Sequence, residues 1–271
     1  MSFKENPFLF IGISLIGFII LFTLITPLFY KVSPFEIDLE NRLLPPSKKY
    51  PLGKDELGRD ELARILYGAR ISLLVGFTVV FISAVVGLIM GLISGFAGGL
   101  IDEVIMRLVD ILLAFPGILL AIALIAFFGP SLVNLIFALV LTGWVGYSRL
   151  ARAQVLKLKE MDFITAAKAI GAGYLRILFR HLMPNVLPFI LVQASLGIAG
   201  AILAESGLSF LGLGVQPPTP SWGAMINQGR NHLFDAPWLT IFPGIALLIT
   251  ILGFNLLGEG LRKIYTPKEW E

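Results

Sequence analysis

Six stretches of this chain contain no charged residue: Pro7–Tyr30, Ile71–Ile101, Ile111–Gly129, Ser131–Ser148, Val186–Ala204 and Ala236–Gly258. In a bilayer every backbone N–H and C=O must be paired without water, which leaves helices and closed barrels as the only spanning structures. About 20 apolar residues of helix cross the hydrocarbon core. The pattern therefore predicts an all-α membrane protein with six transmembrane helices. Composition agrees, with 14% charged residues against about 25% in soluble domains. The run Pro7–Tyr30 is too long for the apolar region of a cleaved signal peptide, and no small-x-small site follows it, so it reads as the first span. Only Gly129-Pro130 separates the third and fourth spans, which predicts a tight hairpin.

What the chain lacks excludes several function classes. It has no cysteine and two histidines, His181 and His232, which fall in loops expected on opposite sides of the membrane. Disulfides and thiolate metal sites are excluded. Gly53-Lys54-Asp55 has neither the upstream glycine nor the hydroxyl residue of a phosphate-binding loop. The six spans carry no charge of the kind that a proton- or sodium-coupled carrier places at mid-membrane. The acidic group Asp55, Glu56, Asp60 and Glu61 lacks calcium-loop spacing, and Lys54, Arg59 and Arg64 stand nearby for ion pairing. No catalytic residue, cofactor or metal is expected. The small net charge of +3 sits in loops, which points to membrane topology and not to nucleic acid.

With both termini inside, 12 of the 21 Lys and Arg residues fall on the cytoplasmic side. The seven between Arg149 and Arg180 face only Glu160 and Asp162. The excess over the nine outside is modest; it favours both termini and this loop on the cytoplasmic side. Residues 1–70 are expected to hold the first span and an outside loop. That loop ends in an interfacial helix, Glu61 to Tyr67, with Leu62, Ile65 and Leu66 on its apolar face and Glu61 and Arg64 off it. Residues 71–271 are expected to form a five-helix core.

Three stretches stand out within this frame. In the second span a small residue recurs every fourth position at Ser83, Gly87, Gly91, Gly95 and Gly99, which lets another helix approach closely. Pro116-Gly117 and Pro243-Gly244 can kink the third and sixth spans. In the loop 162–184, Asp162 can cap a short helix from Phe163, and Gly171 can end it in a left-handed turn. Phe163, Ile164, Ala167 and Ile170 fall near one face of that helix. A second short helix, Tyr174 to Leu182, is expected to end before Pro184. From Glu205 to Pro237 the chain is expected outside the membrane. Pro217, Pro218 and Pro220 set an extended segment there, and Trp222 starts a short helix reaching His232.

The spacing Ala166-Ala167, Gly171, Pro184 resembles the EAA loop of permease subunits of binding-protein-dependent ABC importers; the family's glutamate is Thr165 here. Leu52-Gly-Lys-Asp-Glu-Leu-Gly-Arg-Asp60, Gly68-Ala-Arg-Ile-Ser72 and Ser209-Phe-Leu-Gly-Leu-Gly-Val-Gln-Pro-Pro-Thr-Pro-Ser-Trp-Gly223 are similar to the dipeptide, oligopeptide and nickel branch. The resemblance implies a type I importer permease fold with a cytoplasmic coupling helix and both termini on the cytoplasmic side, in the inner membrane of a prokaryote. It implies a homologous second permease subunit, two ATP-binding cassette subunits that hydrolyse the ATP, and an external solute-binding protein. The substrate is expected to be a di- or oligopeptide, with nickel as the alternative. Phe163, Ile164, Ala166, Ala167, Ile170, Gly171 and Pro184 are the expected ATPase-coupling residues. Gly87, Gly91 and Gly95 are expected to pack helices, within the subunit or across to the second permease. Gln216, Pro217, Pro218 and Trp222 are the expected contacts for the binding protein.

Overall fold

The computed structural model describes residues 6–265. Its elements are helices α1 (Pro7–Phe29), α2 (Glu61–Ala97), α3 (Gly99–Leu113), α4 (Gly117–Phe128), α5 (Leu132–Leu158), α6 (Asp162–Ala169), α7 (Tyr174–Arg176), α8 (Met183–Phe210), α9 (Trp222–Gly229) and α10 (Trp238–Tyr265). A π-helical stretch, Ile177–Leu182, joins α7 to α8 without a break. Among the described residues five helical segments are long and apolar enough to cross a membrane, or six when α3 and α4, bent by 83° at their break, are counted as one span.

The helix ends show why these residues fold locally as they do. Pro7 enters the first turn of α1, where its missing N–H costs nothing. Asn6 accepts from Leu9 N and donates Nδ2 to Gly260 O at 2.9 Å, which holds the start of α1 beside the end of α10. Asp60 caps α2 by accepting from Ala63 N at 2.9 Å, and it also accepts from the Tyr30 hydroxyl at 2.6 Å, closing α1 onto α2. Ser131 caps α5, and Asn134 donates Nδ2 to Phe128 O and Gly129 O, which sets the α4–α5 hairpin.

The core forms where small residues let backbones meet. α2 and α5 run parallel. A Cβ added at Gly87 would lie 2.5 Å from Tyr147 Cβ, one at Gly91 2.5 Å from Ala151 Cβ, and one at Gly95 2.8 Å from Val155 Cβ. The stripe thus faces α5 of the same chain. Gly99 is not part of it: with φ +53° it starts α3 in open space. α8 runs antiparallel to α2, with Ile198 and Ile202 filling the room left by Gly76. α10 packs between α8 and α1 through Gly258 and Gly253.

Four sequence expectations need correction. The helix expected over Glu61 to Tyr67 is the first two turns of α2, and Glu61 and Arg64 are buried, not set off from the apolar face. The charged stretch from Asp102 to Asp110 is helical. Its charges are tolerated because Asp102 pairs with Arg152 at 2.6 Å, while Glu103 and Arg107 face outward. The Tyr174 helix does not stop before Pro184. The wider π turn brings the chain to Pro184 at the start of α8, where a missing N–H is harmless. Finally, α8 continues to Phe210, so Glu205, expected outside the membrane, is fully buried in the helical bundle.

Candidate functional site

Between α5 and α8 the chain makes an elbow. Met161 takes the N-cap position of α6 and Asp162 the first helical one, so Asp162 supplies first-turn charge instead of a cap. Gly171 has φ +78°. Its N–H donates to Lys168 O and that of Ala172 to Ala167 O, both at 3.0 Å, the paired bonds of a Schellman ending. The left-handed residue turns the chain back so that α7 and the π turn run beside α6.

The two faces of α6 differ in what they meet. Ile164 and Ala167 are buried in the chain's own core, among Ile177, Leu178 and Leu182. The sequence puts Phe163, Ile164, Ala167 and Ile170 on one face; the structure divides them. Phe163 is partly exposed, and Ile170 at 86% almost wholly so. Ala166, Gly171 and Pro184 are exposed as well. The side of the elbow away from the bundle is therefore apolar and unpartnered among the described residues, and Lys168, Arg176 and Arg180 surround it. Exposed apolar surface rimmed by charge marks an interaction site more often than chance. The elbow also leans on the end of α2: Phe96 packs against Tyr174 with ring centroids 4.7 Å apart, and Lys168 Nζ lies 5.8 Å from the Phe96 centroid.

The opposite end of the bundle is a polar cap. Arg59 donates Nε to Asp55 at 2.7 Å, Arg64 lies 3.4 Å from the same carboxylate, and Arg64 Nη2 donates to Gln228 at 2.8 Å. Lys54 donates to Asp38 at 2.6 Å, and that bond holds the Asp38 carboxyl below its usual range. His232 lies 3.4 Å from Glu56. Of the acidic group, Asp55 pairs with Arg59 and Arg64 and Glu56 with His232, while Asp60 accepts from Tyr30 and the α2 backbone instead. Trp222 starts α9, but its ring is buried and donates Nε1–H to Ile65 O at 3.2 Å. Trp222 belongs to the packing under the cap and leaves no surface for a partner. Gln216, Pro217 and Pro218 are exposed, with Gln216 pinning its own loop through Gly214 O at 3.0 Å.

Glu205 lies beneath this cap. Ser72 donates to Oε2 at 3.1 Å, Ser206 to Oε2 at 3.3 Å and Ser209 to Oε1 at 2.7 Å. One carboxylate thereby joins α2 to the last turns of α8. Glu205→Leu strands these hydroxyls, each buried polar group so left costing roughly 1–3 kcal/mol, whereas Glu205→Gln keeps an acceptor. Melting in detergent is expected in the order parent, Gln, Leu from highest to lowest; a Leu variant as stable as the parent would remove the network from the stability of the fold. The sequence hid this group because a glutamate after an apolar run reads as the start of a loop.

Five or six apolar helical spans with a helix–glycine–helix elbow between α5 and α8 have the architecture of a type I permease fold. The profile of the family described as binding-protein-dependent transport system inner membrane component matches residues 87–270, and that of the N-terminal TM domain of oligopeptide transport permease C matches residues 1–46. A dipeptide transport system permease protein of Alkalihalophilus pseudofirmus is 45% identical over 98% of this chain and 87% of its own. A probable D,D-dipeptide transport system permease of Escherichia coli K12 is 42% identical over 98% and 89%. A glutathione transport system permease of Escherichia coli O6:K15:H31 is 44% identical over 93% and 84%. The fold is also that of a chain in the inward-facing MetNI methionine ABC transporter, with a TM-score of 0.60 at 18% identity over 75% of this chain and 97% of that one. The chain belongs to the family of binding-protein-dependent transport system inner membrane components, multi-pass permeases of the inner membrane.

Proposed function

We propose that this chain is the pathway-forming subunit of an ATP-driven importer of di- or oligopeptides. It pairs with a homologous second permease, takes its energy from two ATP-binding cassette subunits at the elbow, and receives substrate from an external binding protein at the polar cap. Both termini and the elbow lie on the cytoplasmic side, in keeping with the basic loop from Arg149 to Arg180. The observation that carries the reading is the near-full-length likeness to permeases named for dipeptides and glutathione. The exposed apolar face of the elbow gives it a mechanical basis.

In this reading ATP binding closes the two ATPase subunits. Phe163, Ala166 and Ile170 are carried along in a cleft of the ATPase, and Pro184 is set at the elbow's exit. Ile164 and Ala167 fasten α6 to the subunit's own core, so the displacement passes into α5 and α8 instead of being absorbed by a loose loop. The tilt of these helices opens the path to one side and then the other. On the far face, Gln216, Pro217 and Pro218 form the exposed rim that meets the binding protein. The cap below them is tied together by Arg64, Gln228 and Glu205, so a contact on the rim reaches α2 and α8 directly.

The test is uptake into proteoliposomes holding both permeases and both ATPases, with binding protein outside and ATP inside. A labelled di- or tripeptide is expected to accumulate only with ATP and binding protein together. Accumulation driven by a proton or sodium gradient without ATP would make the chain a secondary carrier. ATP-driven nickel uptake without peptide uptake would replace the substrate class.

A further inference from the structure

The elbow is fastened to the bundle at a junction some distance from its exposed face. Three side chains meet there: Ser94 at the end of α2, Asp102 at the start of α3, and Arg152 near the end of α5. Arg152 donates Nε to Asp102 Oδ1 and Nη2 to Asp102 Oδ2, each at 2.6 Å. Ser94 Oγ donates to the same carboxylate. A two-pronged guanidinium–carboxylate bond sets a plane as well as a distance, which a single ammonium contact does not. The pair is half-buried, with 32% of the arginine and 18% of the aspartate side chain exposed, so water weakens it less than a surface pair.

One leg of the elbow leads out of this junction, and the other packs on the same end of α2. From Arg152, α5 continues as one helix to Leu158 and then enters α6. On the return leg, Tyr174 packs on Phe96, at the same end of α2 as Ser94 but on another face of the helix. The junction also holds the base of α3. That helix follows α5 in the opposite direction, and Val109 packs with Trp144 and Val145 in a small cluster of its own. At its other end α3 meets the 83° break, beyond which the chain continues as α4, Gly117–Phe128. α3 is therefore a rigid arm, gripped by a polar fork at the elbow end and leading to a bend.

We propose that the Asp102–Arg152 pair is the latch that delivers motion of the elbow to the bent span α3–α4, which makes both of them positioning residues for transport. The proposal rests on the reading of the elbow as the ATPase dock. With the fork in place, a displacement of α6 that moves α5 must carry α3 and swing the bend at residues 114–116. With the fork broken, apolar contact holds the arm: Val109 meets Trp144 and Val145, and Met106 and Leu112 pack against the same cluster. Such a contact keeps α3 near α5 but lets it slide and turn, because it has no preferred plane.

The experiment uses the complete importer in proteoliposomes with Asp102→Asn, Arg152→Gln, Arg152→Lys and the reversed pair Asp102→Arg/Arg152→Asp. Retention of the ATPases, ATP hydrolysis and peptide uptake are measured on each. The Asn and Gln variants are expected to keep the ATPases and hydrolyse ATP while uptake per ATP falls about 5–150-fold, the span of ordinary coupling energies. Arg152→Lys, with the charge but not the fork, is expected to fall between these and the parent. The reversed pair is expected to recover most of the loss. Uptake per ATP within about twofold of the parent in the Asn and Gln variants would overturn the latch, a difference no larger than ordinary additivity error. So would loss of ATPase retention together with uptake and no recovery in the reversed pair, which would make the pair a folding element only. Ile170→Asp is run alongside. If it too keeps the ATPases and full uptake, the dock reading falls and the latch with it; if it abolishes both while the single latch variants transport normally, the latch alone is wrong.

Discussion

Gly91→Leu is expected to prevent the subunit from reaching its folded, assembled state. The added Cβ alone would lie 2.5 Å from Ala151 Cβ and 2.9 Å from the backbone nitrogen of Arg152. Backbone cannot rotate away as a flexible side chain can, so α2 and α5 must separate. Inserting atoms into a packed core costs about 1–3 kcal/mol where neighbours can adjust, and here they cannot. Separating the helices also loosens the Gly87 and Gly95 contacts on the same stripe. Gly146 is the control. It sits on α5, is exposed, and has nothing within 4 Å of an added Cβ. Thermal melting of the purified subunit in mild detergent is expected to fall sharply for Gly91→Leu and little for Gly146→Leu. Equal melting of the two would mean that close approach of α2 and α5 contributes nothing.

The second large effect concerns the exposed face of the elbow. Ile170→Asp and Ala166→Glu are expected to abolish peptide uptake while the subunit still inserts and melts normally. Ile170 is 86% exposed, so the subunit itself loses almost no packing. An apolar anchor at the centre of an interface carries about 2 kcal/mol or more of binding, and a charge buried there without a partner costs further. Ala167 would be the wrong position for this test, because it is buried among the subunit's own residues and a glutamate there would disturb folding as well as docking. Gly171→Val acts by a different route. It forces a β-branched residue to φ +78°, at roughly 1–2 kcal/mol, and misdirects the return leg. Co-purification of the ATPases and uptake in proteoliposomes read the outcome. Normal values for Ile170→Asp and Ala166→Glu would show that ATPase subunits do not grip this face.

Much of this was legible in residue order. The apolar runs without charge forced a helical bundle, because the backbone must pair within itself in lipid and runs of about 20 residues suit a helix and not a barrel strand. The left-handed turn at Gly171, the hairpin at Gly129-Pro130 and the start of α9 at Trp222 each follow from local chemistry that needs no partner. What the tertiary structure alone decided is where charge is tolerated and which face of a helix is covered. Charge marks a loop only while no partner is known, so Asp102 and Glu205 read as outside the spans until Arg152 and three serine hydroxyls, distant or hidden in sequence, supplied their hydrogen bonds. Arg64 stands off the apolar face by spacing, yet Asp55 and Gln228 draw it inside. A small-residue stripe says that something approaches closely, but only the fold says that it is α5. The same holds for the elbow: helical spacing groups Phe163, Ile164, Ala167 and Ile170, and it takes the neighbouring π turn to bury two of them and leave the other two in water.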